Sequence, residues 1–349
     1  MQNHNTEITR DIRQSLTNYL EGKKYSKIAV LVDENTQEHC LHKIIDALPE
    51  HYLIKILSGE ENKHLGTCEE IWLALTEASF DRKALMINLG GGVIGDMGGF
   101  AASAYKRGFD FINIPTTLLS QVDASVGGKL GVDFHGFKNH IGFFKEPKTV
   151  LIDCDFFDTL PKNELRSGFA EVIKHGLIYD KSYWEKVTRT DPFDADLTEL
   201  VRHSIDIKKK VVTADPFESG LRKILNFGHT IGHAVESYFL EKPKQKLLHG
   251  EAIAVGMICE AYLSKKLTGL TASELQQITD YLIRIYKPAS IDSSLFEDIL
   301  KLTFQDKKNE GGVVQFSLLK SIGDCTINVP ISNADMVDSL FFFNQQVTK

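Results

Sequence analysis

Short apolar runs alternate with amphipathic stretches through the first half of this 349-residue chain. Several runs are continuously apolar, as in strands that are covered on both faces. The five runs are KIAVLV (27–32), LIKIL (53–57), ALMINL (84–89), FDFINI (109–114) and TVLID (149–153), with helical patterns between them over 36–48, 66–79 and 95–106. This alternation predicts an α/β N-terminal domain, residues 1–160, with a mostly parallel Rossmann-like sheet.

The pattern changes after Pro161. Successive segments of 162–305, such as TIGHAVESYF and EAIAVGMICEAYL, carry apolar residues at helical spacing and contain few β-branched clusters. The runs VVQFSLL (313–319) and DCTINV (324–329) are expected to add short strands. We therefore predict an all-helical C-terminal domain over residues 161–349.

Composition narrows the class of protein. Apolar residues make up 42% of the chain and charged residues 25%, which is ordinary for a globular protein. The net charge of −7 and the scattered basic residues give no reason to expect nucleic-acid binding. The five cysteines are far apart and form no C-x-x-C pair, which favours a reducing cytoplasm. No apolar run is long enough to cross a membrane.

A glycine-rich turn, INLGGGVIGDMGG (87–99), follows a predicted strand and opens a predicted helix. Gly90, Gly92 and Gly95 satisfy G-x-G-x-x-G, which permits close approach of a phosphate to a helix N-terminus. The pattern is short and lies in roughly the third βα unit, so the alternative is a turn that needs glycine only for backbone reasons. We interpret it as a pyrophosphate cradle, with Asp96 as a helix cap or a ligand-binding residue.

The next segment, PTTLLSQVDASVGGKLGVDFHGFKNHIG (115–142), is too polar and too rich in glycine to be plain core. Lysines beside glycines suit an oxyanion or a phosphate. A long surface loop is the alternative, and for any single lysine it is the better interpretation. The cluster as a whole favours an anion site.

His229 and His233, in LNFGHTIGHAVE, lie four residues apart on one face of a predicted helix. Helical histidines at this spacing can bind zinc, although Thr230 stands where the H-E-x-x-H motif has its glutamate. Catalytic zinc usually takes three protein ligands. Spacing alone pairs these two histidines and leaves the third ligand undecided; the candidates are Glu171, Glu236, His249 and Glu251.

Long motifs along the chain resemble one known family. GGGVIGD, PTTLLSQVDASVGGK, FKNHIG, TLP, AEVIKHGLI, RKILNFGHTIGHAVE, HGEAIAVGM and DKKN occur in this order. Together they look like the 3-dehydroquinate synthases, and the resemblance runs from about residue 33 to residue 323. It implies a dehydroquinate synthase-like fold, NAD and a divalent metal, zinc or cobalt, as cofactors, and a homodimer.

The resemblance also implies which residues bind the cofactors. The metal ligands are Glu171, His229 and His249, whereas His233 is a catalytic residue beside the metal. The matching NAD-binding positions are Asp33, Asn35, Glu60, Lys63, Gly91, Gly92, Val93, Asp96, Thr116, Thr117, Lys129, Lys138, Phe156 and Thr159.

The implied substrate is 3-deoxy-D-arabino-heptulosonate 7-phosphate, which carries a phosphate and a carboxylate. Its matching positions are Arg107, Asp123, Lys129, Lys138, Asn139, Lys174, Lys208, Arg222, Asn226, His233 and, of the two lysines in DKK, Lys307. The catalytic group comprises His233, Lys129, Asn139, Lys174, Glu218 and Asn226. The phosphate is assigned to Arg107, Lys129, Lys138 and Asn139, the carboxylate to Lys208 and Arg222, and proton transfer to His233.

Three other functions remain as alternatives. A sibling cyclase such as 2-deoxy-scyllo-inosose synthase acts on a sugar phosphate without a carboxylate, which Arg222 and Lys208 argue against. A metal-dependent polyol dehydrogenase of the glycerol dehydrogenase type would accumulate NADH. A zinc hydrolase lacks its glutamate because Thr230 occupies that position. One departure from the family is the longer stretch between His229 and His249, which we interpret as a surface insertion.

Overall fold

The computed structural model describes residues 6–124, 126–135, 137–240, 242, 245–303 and 314–349. The chain divides into two compact units, Met1–Pro161 and Lys162–Lys349. The first combines strands and helices, and the second is mainly helical, so the fold class expected from the sequence is confirmed.

The first unit is an α/β unit. Its strands are β1 Thr6–Thr9, β2 Ile28–Val32, β3 Tyr52–Lys55, β4 Leu85–Gly90, β5 Asp110–Pro115, β6 Lys129–Phe134, β7 Phe137–Phe144 and β8 Val150–Asp153. Its α-helices are α1 Ile12–Leu20, α2 Glu34–His39, α3 Leu65–Glu77 and α4 Gly92–Ala104.

Six parallel strands form the sheet of this unit, in the order β1-β8-β5-β4-β2-β3. The five apolar runs of the sequence are β2, β3, β4, β5 and β8. One buried cluster, with Leu31, Met86 and Phe111, covers one face of the sheet. A second, with Val30 and Ile87, covers the other. Burial on both faces explains why the central strands are continuously apolar rather than alternating.

Two expectations for this unit were incomplete. The helix expected over 36–48 is only α2, followed by short 3₁₀ turns, because Cys40 and Ile44 have φ near −120° and Ile44 N–H donates to Leu41 O in a tighter turn. The polar segment 115–142 holds an antiparallel hairpin, β6–β7, rather than only a loop.

The second unit is built from helices. They are α5 Lys162–Tyr179, α6 Lys181–Arg189, α7 Thr198–Ala214, α8 His229–Leu240, α9 His249–Leu267, α10 Ala272–Tyr286, α11 Phe296–Thr303 and α12 Asn333–Val347. The two short strands expected near the end are β9 Val314–Ser321 and β10 Asp324–Ile331, which pair antiparallel. No helix in the described part of the chain is long and apolar enough to span a membrane.

Candidate functional site

Three side chains from three helices of the second unit converge on one point. Glu171 comes from the middle of α5, His229 from the start of α8 and His249 from the start of α9. The Oε1 atom of Glu171 lies 3.4 Å from His229 Nε2 and 3.7 Å from His249 Nε2. One ligand atom from each residue lies within 4.8 Å of the others. One carboxylate oxygen and two imidazole nitrogens at these separations can hold a divalent metal of the zinc or cobalt type.

The carboxylate of Glu171 is fully buried and needs a positive partner. Neither of its oxygens makes a hydrogen bond of regular geometry within the described chain, although Oε2 is in ion-pair contact with Lys174 Nζ. Burial opposes its charge, but the cation of Lys174 and then His229 outweigh burial and hold the pKa of Glu171 well below its usual range. An ionised, buried carboxylate with one oxygen directed at two imidazoles fits a bound cation.

His229 is oriented by the backbone of its own turn. Its Nδ1 lies 3.1 Å from the carbonyl oxygen of Phe227, to which it can donate. This arrangement leaves Nε2 as the lone-pair nitrogen that faces Glu171. Burial, followed by the charge of Lys174, lowers the pKa of His229, so the ring is neutral and able to act as a ligand near neutral pH.

His249 lies between two carboxylates. Its Nε2 faces Glu171, and its Nδ1 lies 3.4 Å from Oε2 of Glu236 on α8. Burial lowers the pKa of His249, but Glu236 and Glu171 outweigh it and raise the pKa to about 10. In the absence of a metal, the proton on this ring therefore balances part of the negative charge.

His233, one turn after His229, is half-buried beside both other histidines. Its ring centroid lies 4.9 Å from that of His229 and 5.8 Å from that of His249. Within the second unit, the described residues offer a second possible ligand group, His233, Glu236 and His249. Neither this group nor the first contains both His229 and His233, so the pairing of these two as ligands from their spacing stays a prediction.

The helix that carries the two histidines is fixed at its start by a buried carboxylate from α9. Glu260 accepts hydrogen bonds from the backbone N–H groups of Gly228 (2.6 Å), Thr230 (3.1 Å) and Ile231 (3.2 Å). It is fully buried. These are donors that a helix N-terminus leaves without intrahelical partners, and a negative charge there is favoured by the helix dipole. Glu260 therefore sets the position of His229.

Close contact between α8 and α9 requires glycine. A Cβ atom at position 256 would lie 1.9 Å from the carbonyl oxygen of Gly228 and 2.7 Å from the backbone nitrogen of Gly232. Gly228 has φ of +80°, in the left-handed region that favours glycine. The glycines beside the histidines thus serve helix packing, which brings His229 and His249 together.

A loop between α7 and α8 arranges three of the predicted site residues, Glu218, Arg222 and Asn226. The carboxylate of Asp215 accepts from the backbone N–H groups of Ser219 (3.0 Å), Gly220 (2.7 Å) and Arg222 (3.0 Å). Burial opposes its charge, but these bonds lower the pKa of Asp215 to about 2. Glu218 accepts from the side-chain amide of Asn226 at 2.8 Å.

Two further cations of the predicted set are buried in the same unit. Arg222 is 3% exposed and its Nη1 donates to the carbonyl oxygen of Pro216 at 2.8 Å. Lys208 on α7 is 5% exposed. Burial of these long cationic side chains is unusual unless they have an anionic partner.

In the first unit, the glycine-rich turn that was predicted to hold a phosphate joins β4 to α4. Helix α4 begins after Gly91, and no described side chain caps it. Gly91, Gly92 and Asp96 line a small cavity together with Asn88 and Ser120. Uncapped backbone N–H groups at a helix start are suited to an anion.

A buried ion pair lies beside this turn. Lys63 Nζ donates to Asp96 Oδ2 at 2.6 Å and to Asn139 Oδ1 at 2.7 Å. Burial lowers the pKa of Lys63, but Asp96 and Glu60 outweigh it and raise it. For Asp96, burial raises the pKa and outweighs the opposite effect of Lys63. Burial thus disfavours the charged form of both residues, and each charge is stabilised by the other. Lys138 Nζ lies 3.8 Å from Glu60 Oε1, which brings five predicted residues into one network.

The other predicted residues of the first unit lie on several different elements. Asp33 caps α2 through Thr36 N–H, and Asn35 is exposed in the first turn. Thr116, Phe156 and Thr159 lie after β5 and β8 at the carboxyl edge of the sheet. The remaining positions are Arg107 after α4, Val93 in α4, Thr117 after β5, Asp123 in a short π-helical turn and Lys129 at the start of β6. Lys307 lies outside the described residues.

Sequence reasoning missed three supporting carboxylates, Asp215, Glu236 and Glu260. The sequence suggests Glu236 only as a candidate metal ligand. Each acts on a site residue through a contact that no motif displays, and Glu260 contacts a turn about thirty residues earlier in the chain. A buried acidic residue within an otherwise apolar helix, as in AIAVGMICEAYL, is the signal that was present for Glu260.

Comparison with solved structures defines the class by fold. A 2-deoxy-scyllo-inosose synthase solved with carbaglucose-6-phosphate, NAD⁺ and Co²⁺ has a TM-score of 0.84 at 22% identity, over 96% of this chain and 95% of that chain. The 2-epi-5-epi-valiolone synthase of Streptomyces hygroscopicus, solved with NAD⁺ and Zn²⁺, has a TM-score of 0.82 at 25% identity, over 99% and 98%. The fold is therefore one that this chain shares with these two synthases.

Sequence comparison identifies the family within this class. A family model for the 3-dehydroquinate synthase N-terminal domain matches residues 53–167, and one for the C-terminal domain matches residues 168–309. The 3-dehydroquinate synthase of Parabacteroides distasonis is 42% identical over 347 residues, 97% of each chain. The chain belongs to the 3-dehydroquinate synthase family.

Proposed function

We propose that this enzyme converts 3-deoxy-D-arabino-heptulosonate 7-phosphate into 3-dehydroquinate and phosphate. The class of reaction follows from membership of this family of lyases. The main structural support for the metal site is the buried Glu171 carboxylate, which faces His229 and His249. The reaction has no net redox change: transient oxidation at C5, phosphate elimination, reduction at C5 and intramolecular aldol closure follow one another.

The proposed cofactors are NAD and a divalent metal, zinc or cobalt. Glu171, His229 and His249 would hold the metal, and the glycine-rich turn after β4 would hold the pyrophosphate of NAD. When bound, NAD supplies a hydride acceptor that is regenerated in each cycle, and the metal supplies Lewis acidity at the substrate hydroxyls.

The side chains of the chain itself have distinct roles in this proposal. His233 is half-buried beside the metal ligands and moves the proton of the C5 hydroxyl, since histidine transfers protons near neutral pH. Arg222 and Lys208 bind the carboxylate, and the planar guanidinium suits it. Asn226, held by Glu218, orients substrate hydroxyls. Lys174 neutralises the second oxygen of Glu171 and contributes to the catalytic group.

The phosphate is assigned to residues of the first unit. Lys129, Lys138 and Asn139 lie on β6 and β7, and Arg107 follows α4. Asn139 adopts φ of +50° and its N–H donates to Asp133 at 2.7 Å, which fixes the turn of backbone that presents it. The homodimer and the cytoplasmic location expected from the sequence remain part of this proposal.

A phosphate-release assay tests the function. Purified enzyme with NAD⁺ and Co²⁺ or Zn²⁺ is expected to release phosphate from the heptulosonate phosphate, to release none from glucose 6-phosphate and to accumulate no NADH. Release from glucose 6-phosphate alone would point to the inosose synthase reaction. NADH accumulating with turnover on a polyol would point to a dehydrogenase. Either result would overturn the proposal.

A further inference from the structure

We propose that Glu236 is the residue that positions His249, so that it sets the affinity of the metal site without binding the metal. This inference rests on the metal site of the proposed function. Glu236 ends the motif GHTIGHAVE and has no role in the assignment above. It lies on α8 seven residues after His229 and three after His233, so all three side chains project from one face of the helix.

The two nitrogens of His249 face two different carboxylates. Nε2 lies 3.7 Å from Glu171 Oε1, and Nδ1 lies 3.4 Å from Glu236 Oε2. Because the ring nitrogens are on different edges, one metal ion can take only one of them. When Nδ1–H donates to Glu236, Nε2 is the lone-pair nitrogen and points toward Glu171.

The surroundings favour Nε2 as the metal-binding atom. Glu171 is 0% exposed, and its Oε1 faces the Nε2 atoms of His229 and His249 together. His229 has the same orientation, because its Nδ1 can donate a hydrogen bond to the carbonyl oxygen of Phe227. Both histidines therefore have an acceptor on Nδ1 and present Nε2 to one carboxylate oxygen, which is the usual arrangement of histidine ligands.

A rival arrangement gives Glu236 a different part. His233, Glu236 and His249 are also close enough to share an ion. In that case Glu236 would be a direct ligand, His249 would bind through Nδ1, and Glu171 would be dispensable. The two arrangements make opposite predictions for substitutions of Glu171 and Glu236.

The experiment measures Co²⁺ binding to the full-length metal-free enzyme by competition with a chromophoric chelator, together with the visible spectrum of the Co²⁺ complex. The variants are Glu236→Gln, Glu236→Ala and Glu171→Gln. Asp180→Asn is the matched control because Asp180 Oδ2 contacts His203 Nε2 at 2.9 Å, a carboxylate–imidazole pair in the same unit away from the metal cluster. Circular dichroism of each metal-free variant verifies folding, and Glu236→Gln preserves side-chain size.

The expected result is a Kd about tenfold weaker for Glu236→Gln and up to about 100-fold weaker for Glu236→Ala, the range typical of a residue that orients a histidine ligand. At saturation, both Glu236 variants keep the wild-type pattern of Co²⁺ bands, because the three ligands remain. Glu171→Gln loses specific binding, and Asp180→Asn stays near the wild-type Kd.

Two results would overturn the inference. One is a Glu236→Gln enzyme with the wild-type Kd. The other is a Glu236→Ala enzyme whose bands show a lost ligand while Glu171→Gln still binds Co²⁺ normally. Neither result concerns phosphate release by the wild-type enzyme, so the proposed function would stand in both cases. Wild-type enzyme that neither binds Co²⁺ nor releases phosphate would instead overturn the proposed function together with this inference.

Discussion

Glu260 offers a quantitative test of how the site is supported. Replacing it with Ala removes the acceptor for the three backbone N–H groups of Gly228, Thr230 and Ile231 in a region with no solvent access for the carboxylate. A hydrogen bond to a charged acceptor contributes about 1.5–3 kcal/mol, and buried donors left unsatisfied cost about 1–3 kcal/mol each. The three bonds share one side chain, so their contributions do not simply add.

We expect Glu260→Ala to lower the free energy of unfolding by about 4 kcal/mol. Glu260→Gln, which keeps the shape but turns an amide N–H₂ toward a backbone donor, is expected to cost about 2 kcal/mol. Urea denaturation followed by far-UV circular dichroism measures the loss. Hydrogen exchange of peptides covering 226–235 then reports whether the start of α8 is the part that opens.

Glu274→Ala is the matched control. Glu274 also accepts backbone N–H bonds, from Thr271 and Ile322, but it lies at a partly exposed helix start. Its loss is expected to cost only about 1 kcal/mol. A cost below about 1 kcal/mol for Glu260→Ala, or unchanged exchange at the start of α8, would refute the argument that Glu260 fixes this turn.

Three further outcomes are expected. Gly256→Ala places a Cβ 1.9 Å from the Gly228 carbonyl oxygen, so it should destabilise the enzyme by about 3 kcal/mol or more in urea denaturation; an unchanged midpoint would contradict this. As a ligand of the proposed metal site, His249 would have to lose a proton on binding, because burial is outweighed by Glu236 and Glu171, which raise its pKa to about 10; Co²⁺ affinity should therefore rise about tenfold per pH unit between about pH 6 and 8, and a flat profile by chelator competition would contradict this. Asp215→Asn weakens the bonds that hold the Arg222 backbone, so steady-state kinetics should show a raised KM for the heptulosonate phosphate, whereas a wild-type KM would contradict it.

The pattern of apolar residues was sufficient to predict those strands and helices that are buried in a regular way. The central strands β2 and β4 are covered on both faces, so their apolar runs stand out in the sequence. Strand β1 was missed because TEIT is short and polar at the sheet edge, paired only with β8 among the described strands. The α2 region was overextended because apolar residues in successive 3₁₀ turns mimic helical spacing.

The candidate metal site shows a different limit. Helical spacing groups residues of one helix, so it paired His229 with His233. The geometric cluster instead takes one residue from each of three helices, and only the family resemblance singled out Glu171 and His249. In the proposed metal site, His229 and His233 differ in their local contacts: the Phe227 carbonyl and the turn capped by Glu260 fix the first histidine, whereas the second lies one turn further along α8. A ligand of the proposed site would therefore be specified by the contacts that hold it as much as by its own side chain, and several of those contacts come from distant parts of the sequence.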